Sequence, residues 1–94
     1  MIVVLMPEAE ETVFEICEFI DSINLEDSSD RWLTKFAFFL RGYAIPHAKY
    51  ALCANEQFAE EGYSCITYHG WVIAFRIKED TFVVEKIVRG SILA

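Results

Sequence analysis

Residues 71–89 read WVIAFRIKEDTFVVEKIVR, and this stretch decides the fold. Residues 71–78 and 81–89 are rich in β-branched and aromatic side chains, which favour strands. Only Glu79 and Asp80 lie between the two segments, which leaves room for nothing longer than a tight turn. A connection this short joins antiparallel strands. The stretch therefore predicts two antiparallel strands in the C-terminal third of the chain.

A further strand is predicted just upstream of this pair. Residues 63–68 (YSCITY) alternate between polar and apolar side chains, as a half-buried strand does, and His69-Gly70 is a turn signal. The three strands together predict an antiparallel meander. Residues 43–61 have no clear pattern: residues 50–54 are compatible with a short strand, and residues 55–61 with a helical turn or a loop.

The first 23 residues predict a strand followed by a helix. Residues 1–6 (MIVVLM) form a continuous apolar run, which is typical of a buried strand. Pro7 suits the first turn of a helix, and apolar residues then recur every three or four positions. This pattern predicts helix 1 over residues 7–23. Its buried stripe is expected to consist of Ala9, Val13, Ile16, Cys17, Ile20 and Ile23.

A second helix is predicted over residues 30–41. Ser28 or Ser29 is a suitable N-cap within the turn over residues 24–30, Gly42 is placed to end the helix, and Pro46 prevents it from resuming. Residues 36–40 leave so little polar face that one phenylalanine should be exposed, which indicates a binding surface. Phe38 and Trp32 are the candidates for that surface. The residues expected to face inward are Trp32, Leu33, Phe36, Phe39 and Leu40.

The order of these elements predicts one α+β domain over residues 1–94. It has an N-terminal strand, a two-helix hairpin and then an antiparallel sheet meander, with the helices on one face of the sheet. A hydrophobic content of 54% supplies a core and excludes a disordered acidic tail. The uncharged apolar runs, such as residues 36–40, are far shorter than the roughly 20 residues of a membrane span. We identify no signal peptide.

The net charge of −7 is unevenly distributed. Residues 1–30 carry nine acids and no base, whereas residues 31–94 carry eight bases and six acids. An acidic chain disfavours nucleic-acid binding, which depends on neutralising phosphates, but the second part can still present a modest basic patch. The acidic face of helix 1 supplies solubility, or else a docking surface for a basic partner.

The three cysteines, Cys17, Cys53 and Cys65, are odd in number and lack a Cys-x-x-Cys spacing. This pattern predicts neither a disulfide framework nor a structural zinc site, and a reducing cytoplasm fits it best. We expect all three to be small hydrophobic residues of the core. No other residues have a spacing typical of a metal site, and no cofactor is expected.

Four blocks of the chain, in this order, resemble motifs of the ParE/RelE superfamily of bacterial toxins. Residues 7–11 (PEAEE) resemble the Pro-x-Ala-x-x that opens the family's first helix, and residues 61–64 (EGYS) resemble its E-G-Y-R entry to the sheet. Residues 71–77 (WVIAFRI) and 83–91 (VVEKIVRGS) resemble its last two strands. The resemblance covers about residues 1–42 and 61–91. This chain departs from the family pattern at three motif positions, namely Ser64, Arg89 and Ile92.

The resemblance implies a cytoplasmic toxin component of a toxin–antitoxin module, neutralised by a cognate antitoxin. ParE-type toxins block DNA gyrase through a protein–protein contact, and the resemblance would place that contact on the sheet face and the C-terminal strand. A ribosome-dependent mRNA endonuclease of the same fold and an interaction module that has lost toxicity are the alternatives. A homodimer or an antitoxin segment would cover the exposed phenylalanine. The candidates for the target contact are Arg76, Arg89, Lys86 and Lys78.

Cleavage of RNA would require Lys, Arg, His or Tyr side chains as base, acid and charge clamp. Strand alternation places Arg76 and Lys78 on one face of their strand, but Lys86 and Arg89 on opposite faces of theirs, so the spacing forces no cluster. A surface ion pair between Arg76 and Glu85 is an equally good reading of that arginine. No catalytic residue is assigned. The other basic or aromatic candidates are His47, Lys49, Tyr68 and His69, with both histidines favoured as turn residues.

Overall fold

The computed structural model describes residues 1–23 and 27–92, so residues 24–26 of the turn predicted over residues 24–30 lie outside the described residues. Three helices and four strands are formed by the described residues. In order they are β1 (Ile2–Leu5), α1 (Pro7–Ile23), α2 (Ser28–Tyr43), α3 (Glu56–Glu60), β2 (Ser64–Tyr68), β3 (Trp71–Lys78) and β4 (Thr81–Arg89), followed by a 3-10 turn (Gly90–Ile92).

The four strands form one open mixed sheet in the order β1-β4-β3-β2. β2, β3 and β4 are antiparallel neighbours, which confirms the predicted meander. β1 is parallel to β4, with Ile2 opposite Thr81 and Leu5 opposite Val84. Parallel neighbours need a long crossover connection, and the helices and the meander between β1 and β4 supply it.

β1 lies at an edge of the described sheet, so the prediction of a buried strand over residues 1–6 is wrong. Val3 and Leu5 are half-buried and pack against the core, whereas Ile2 is 67% exposed and Val4 40%. A continuous apolar run indicates a strand, but it does not distinguish a central strand from an edge strand. The position of β1 depends on its pairing with β4, which is distant in sequence.

The helix α1 has the predicted bounds, and Ala9, Val13 and Ile16 are buried as expected. Ile23, the last residue of the predicted stripe, is exposed. The expectation that it faces the core is wrong, because α1 ends at this residue, beyond its buried contacts.

The helix α2 is longer than predicted by two residues at each end. Its N-cap is Asp27, which has a left-handed backbone and makes no side-chain cap hydrogen bond. The predicted cap at Ser28 or Ser29 is therefore wrong. The Ser29 hydroxyl instead donates to the Asp21 carboxylate of α1 at 2.8 Å, which ties the two helices together. Gly42 lies inside the last turn rather than ending the helix, because one glycine costs only about 1 kcal/mol in a helix.

The main core lies between these two helices and one face of the sheet. Phe36 and Leu40 of α2 pack with Phe75 and Phe82 of the sheet, and all four are nearly inaccessible to solvent. Leu33, which was expected to face inward, is exposed. The other buried members of this core are Ala9, Val13, Ile73, Val84 and Ile87.

A smaller core lies on the opposite face of the sheet. Ala74 alternates with Ile73 and Phe75 along β3, so it points away from the main core, where it packs with Cys53, Phe58 and Tyr63. Residues 55–61 were compatible with a helical turn or a loop, and the structure shows the helical turn, α3. Residues 50–54, which were compatible with a short strand, form none. The Asn55 side chain caps α3 by accepting a hydrogen bond from the Phe58 N–H at 3.0 Å.

A disulfide joins Cys53 to Cys65, whose Cα atoms are 4.9 Å apart. The expectation of reduced cysteines is therefore wrong for these two, although Cys53 is buried in the smaller core and Cys65 packs against it. Cys17 is a free thiol, half-buried against the main core. The disulfide fastens the segment before α3 to β2, beside the backbone hydrogen bond from the Cys53 N–H to the Tyr63 carbonyl. Spacing along the chain could not reveal this contact, because the intervening residues fold back through α3.

Candidate functional site

The four cations predicted to contact a target are spread along the β3–β4 hairpin. Arg89 is paired with Trp71 at one end of the hairpin, whereas Lys78 is paired with Thr81 at the other. Seven residue steps along β3 lead from Trp71 to Lys78, which corresponds to roughly 23 Å at about 3.3 Å per residue. The structure therefore does not gather the four side chains into one cluster.

Arg76 forms an ion pair with Glu85. The Arg76 Nε donates to Oε2 of Glu85 at 2.6 Å, and the Arg76 side chain is 46% exposed while that of Glu85 is 9% exposed. The guanidinium also lies 5.9 Å from the centre of the Tyr63 ring. The reading of Arg76 as a partner of Glu85 is confirmed, and the arginine is thus held within the fold.

A β-bulge creates this ion pair. Ala74 is paired with Lys86 and Phe75 with Val84, so Glu85 is the extra residue of β4. A bulge re-aims the side chain of its extra residue, and here it directs Glu85 to the face that carries Arg76. The sequence pattern suggested the pairing, but strand alternation alone could not show that Glu85 is buried.

We expect Arg76→Ala to destabilise the fold by about 2 kcal/mol, because it leaves the buried Glu85 carboxylate without its partner. Urea denaturation measures the loss. Lys78→Ala is the matched control: Lys78 lies on the same face of β3 and makes no ion pair among the described residues, so its effect should stay within about 0.5 kcal/mol. Adding Glu85→Gln to Arg76→Ala should recover part of the lost stability. Equal losses of stability in Arg76→Ala and Lys78→Ala would contradict this assignment.

Lys86 and Arg89 rest on aromatic rings on opposite faces of the sheet. The Lys86 Nζ lies 6.0 Å from the centre of the Phe58 ring and 3.8 Å from the Glu8 carboxylate, while the Arg89 guanidinium lies 4.7 Å from the centre of the Trp71 ring. Cation–π contacts of this kind hold a side chain without neutralising its charge. Arg76 and Lys86 form ion pairs with Glu85 and Glu8. The other two predicted cations, Arg89 and Lys78, form no ion pair among the described residues.

The two predicted surface residues of α2 lie in different surroundings. Phe38 is 80% exposed, which confirms that one phenylalanine of this helix faces solvent. Trp32 is half-buried: it stacks on Phe36 with ring centres 4.9 Å apart and meets Tyr68 at 6.1 Å. Six residues of α-helix separate Trp32 from Phe38, which places them about 120° apart around the axis. They do not form one surface.

An apolar groove of about 250 Å³ runs between β1 and α2. Val3 and Leu5 form one wall, and Leu33 and Ala37 form the other. Leu33 is itself exposed, whereas the exposed Ile2 and Val4 alternate with Val3 and Leu5 along β1 and lie on its other face. The sequence pattern did not predict this groove, because it expected both β1 and Leu33 to be buried.

A second cleft, with a different chemical character, lies between α2 and the β2–β3 turn. Its volume is about 430 Å³, and Arg31, Trp32, Lys35, Tyr68 and His69 line it. Tyr68 and His69 were among the candidates from the sequence, but Arg31 and Lys35 were not. Their spacing of four residues places them on one side of α2, and this is the signal that sequence reasoning passed over.

No protein-family model matches this chain, and no curated protein is significantly similar to it. Across residues 1–23 and 27–92, none of the helices combines the length and hydropathy required to cross a membrane. The same residues bring no three histidine, cysteine or acidic side chains together in a way that could hold a metal ion.

Proposed function

We propose that this chain is the toxin component of a toxin–antitoxin module, which a cognate antitoxin neutralises and which acts in the cytoplasm on a protein target such as DNA gyrase. One observation carries the proposal: the blocks that resemble the ParE/RelE superfamily fall, in order, on the opening of α1, the entry to β2, and the strands β3 and β4. A strand, a helical hairpin and an antiparallel meander are the layout that the resemblance implies.

The arrangement of the four cations of the β3–β4 hairpin favours a protein target over RNA cleavage on the sheet. Stabilising a pentavalent phosphate requires several positive groups aimed at one point. Here Arg76 is neutralised by Glu85, and Lys78 and Arg89 lie at opposite ends of the hairpin. Separated cations on a sheet instead suit a protein surface, where each one pairs with an acid of the partner.

The groove between β1 and α2 is the surface that we assign to the antitoxin. It is apolar, and the neighbouring helix α1 is acidic along its exposed face. A segment with apolar and basic side chains would complement both, and such segments commonly fold on binding. Phe38, on the exposed side of α2, lies outside the residues that line the groove. A second copy of the chain is the alternative cover for this phenylalanine, which sedimentation of the wild type and of Phe38→Ser would detect.

The proposal is tested by inducing the chain in bacteria and assaying the purified protein. We expect growth arrest with filamentous cells, inhibition of gyrase supercoiling, and intact ribosome-bound mRNA. Arg89→Ala should weaken gyrase inhibition at least tenfold if Arg89 contributes to the contact as a charged anchor residue. Lys49→Ala, which removes an exposed cation outside the hairpin, is the control and should leave inhibition unchanged.

Three other outcomes would contradict the proposal. Arrest without filamentation, together with cleaved mRNA, would identify the ribosome-dependent endonuclease. Normal growth with soluble, folded protein would identify a non-toxic interaction module. Full toxicity of both Arg76→Ala and Arg89→Ala would show that the target contact lies elsewhere on the molecule.

A further inference from the structure

The cleft between α2 and the β2–β3 turn concentrates positive charge in an acidic protein. Arg31 and Lys35 line it together with His69, and no carboxylate of residues 1–23 or 27–92 does, although the net charge of the chain is −7. Among the described residues, neither Arg31 nor Lys35 forms an ion pair. Arg31 makes one long hydrogen bond, of 3.4 Å, to the Ser28 hydroxyl. Both cations are therefore available to an anion that enters the cleft.

A neighbouring acid is occupied elsewhere. Asp21 at the end of α1 accepts hydrogen bonds from the Ser29 N–H at 3.3 Å and from the Ser29 hydroxyl at 2.8 Å. These contacts hold the Asp21 carboxylate against the first turn of α2, and Asp21 does not line the cleft. Among the described residues, Asp21 forms no ion pair with Arg31 or Lys35.

The wall of the cleft is aromatic and is held in place by the core. Trp32 stacks on the buried Phe36 with ring planes 15° apart. Tyr68 packs against Phe39 with ring centres 4.6 Å apart, and against Phe36 at 5.4 Å. Because Phe36 holds Trp32 from behind in this way, the indole ring loses little freedom when a flat ligand stacks on its other side.

We propose that this cleft binds a nucleoside phosphate. Its base stacks on Trp32 and meets Tyr68 edge-on, because the two ring planes are 67° apart, and its phosphate is bound by Arg31 and Lys35. Such a molecule combines a flat ring, which suits the aromatic part of the lining, with a negative charge, which suits the two cations. The volume of the cleft lies within the range of roughly 300–1,000 Å³ that is typical of small-molecule sites. None of the four hairpin cations lines the cleft, so this inference goes beyond the proposed toxin function.

Titration with adenosine 5′-monophosphate tests the proposal. Trp71→Phe leaves Trp32 as the single tryptophan, so quenching of its fluorescence reports on the cleft. We expect saturable quenching, and we expect Arg31→Ala and Lys35→Ala each to weaken binding by about tenfold, the effect of losing one charged hydrogen bond. Arg41→Ala removes a cation from the same helix outside the cleft and should change nothing. Calorimetry on the wild-type chain gives the same affinities if Trp71→Phe does not fold.

Inorganic phosphate and adenosine, titrated separately, divide the ligand into its two halves. Each should bind at least tenfold more weakly than the nucleotide. Equal binding of phosphate alone would overturn the role of the rings, and equal binding of adenosine would overturn the role of the cations. Equal weakening by Arg41→Ala, or no saturation by the nucleotide, would overturn the site itself. These readouts do not depend on toxicity, so a failure here is distinguishable from a failure of the proposed toxin function.

Discussion

Phe82→Ala is expected to destabilise this protein by about 4 kcal/mol, a large fraction of the 5–15 kcal/mol that holds a small domain folded. Phe82 is 0% exposed and lies on β4, where its ring stacks on Phe75 with centres 4.5 Å apart. Truncation removes the buried ring and leaves a cavity between the sheet and the two helices. Helices and strands close by cannot fill it, because they are held by their own pairing.

Urea denaturation followed by circular dichroism measures this loss. Phe38→Ala is the matched control, since it removes the same ring from a position that is 80% exposed, and its effect should stay within about 0.5 kcal/mol. Phe82→Leu removes less volume and should cost about half as much as alanine, which keeps the test informative if Phe82→Ala does not fold. Similar losses in Phe82→Ala and Phe38→Ala would contradict the assignment of the core.

The second large effect is expected from reduction of the Cys53–Cys65 disulfide. The two cysteines are 12 residues apart, and a crosslink that closes a loop of this size is worth about 3 kcal/mol in the chain-entropy model. Reduction would free the segment that carries Phe58 and Tyr63 to move away from Ala74, so the smaller core would loosen first. We therefore expect a clear fall in the urea midpoint when a dithiol reductant is present.

The double variant Cys53→Ala/Cys65→Ala is the control for this experiment. It should unfold at the lower midpoint with or without reductant, whereas Cys17→Ala should respond to reductant as the wild type does. Burial raises the pKa of the Cys17 thiol, and the charges of Asp21 and Asp30 add to this effect. Its thiolate fraction is therefore small, and it should exchange slowly with the disulfide. A wild-type midpoint that does not change on reduction would contradict the prediction.

The Cys53–Cys65 disulfide also bears on the cellular compartment in which the protein resides. Disulfides persist in oxidising environments and are uncommon in a reducing cytoplasm. Because the structure joins Cys53 to Cys65, the cysteine pattern no longer supports a reducing compartment, and the proposal of a cytoplasmic protein rests on the resemblance alone. Alkylation of the protein inside cells, before lysis, would show which form is present there.

The sequence by itself determined the elements whose signals are local. The bounds of α1, β3 and β4 were predicted to the residue, because the 3.6-residue and two-residue periods are properties of neighbouring side chains. The turns at His69-Gly70 and Glu79-Asp80 were equally local, and their short length forced the antiparallel meander. The sequence also predicted the exposed phenylalanine of α2. Five consecutive apolar residues point in all directions around a helix, so a helix that packs on one side cannot bury all of them.

The tertiary structure alone decided the features that join distant parts of the chain. These are the edge position of β1, the disulfide, the bulge that buries Glu85 against Arg76, and the cleft that brings Arg31 and Lys35 to Tyr68 and His69. In each case the partners are separated in sequence by an intervening strand, turn or helix. Periodicity shows which face of an element is apolar, but the packing of the whole chain determines what that face meets.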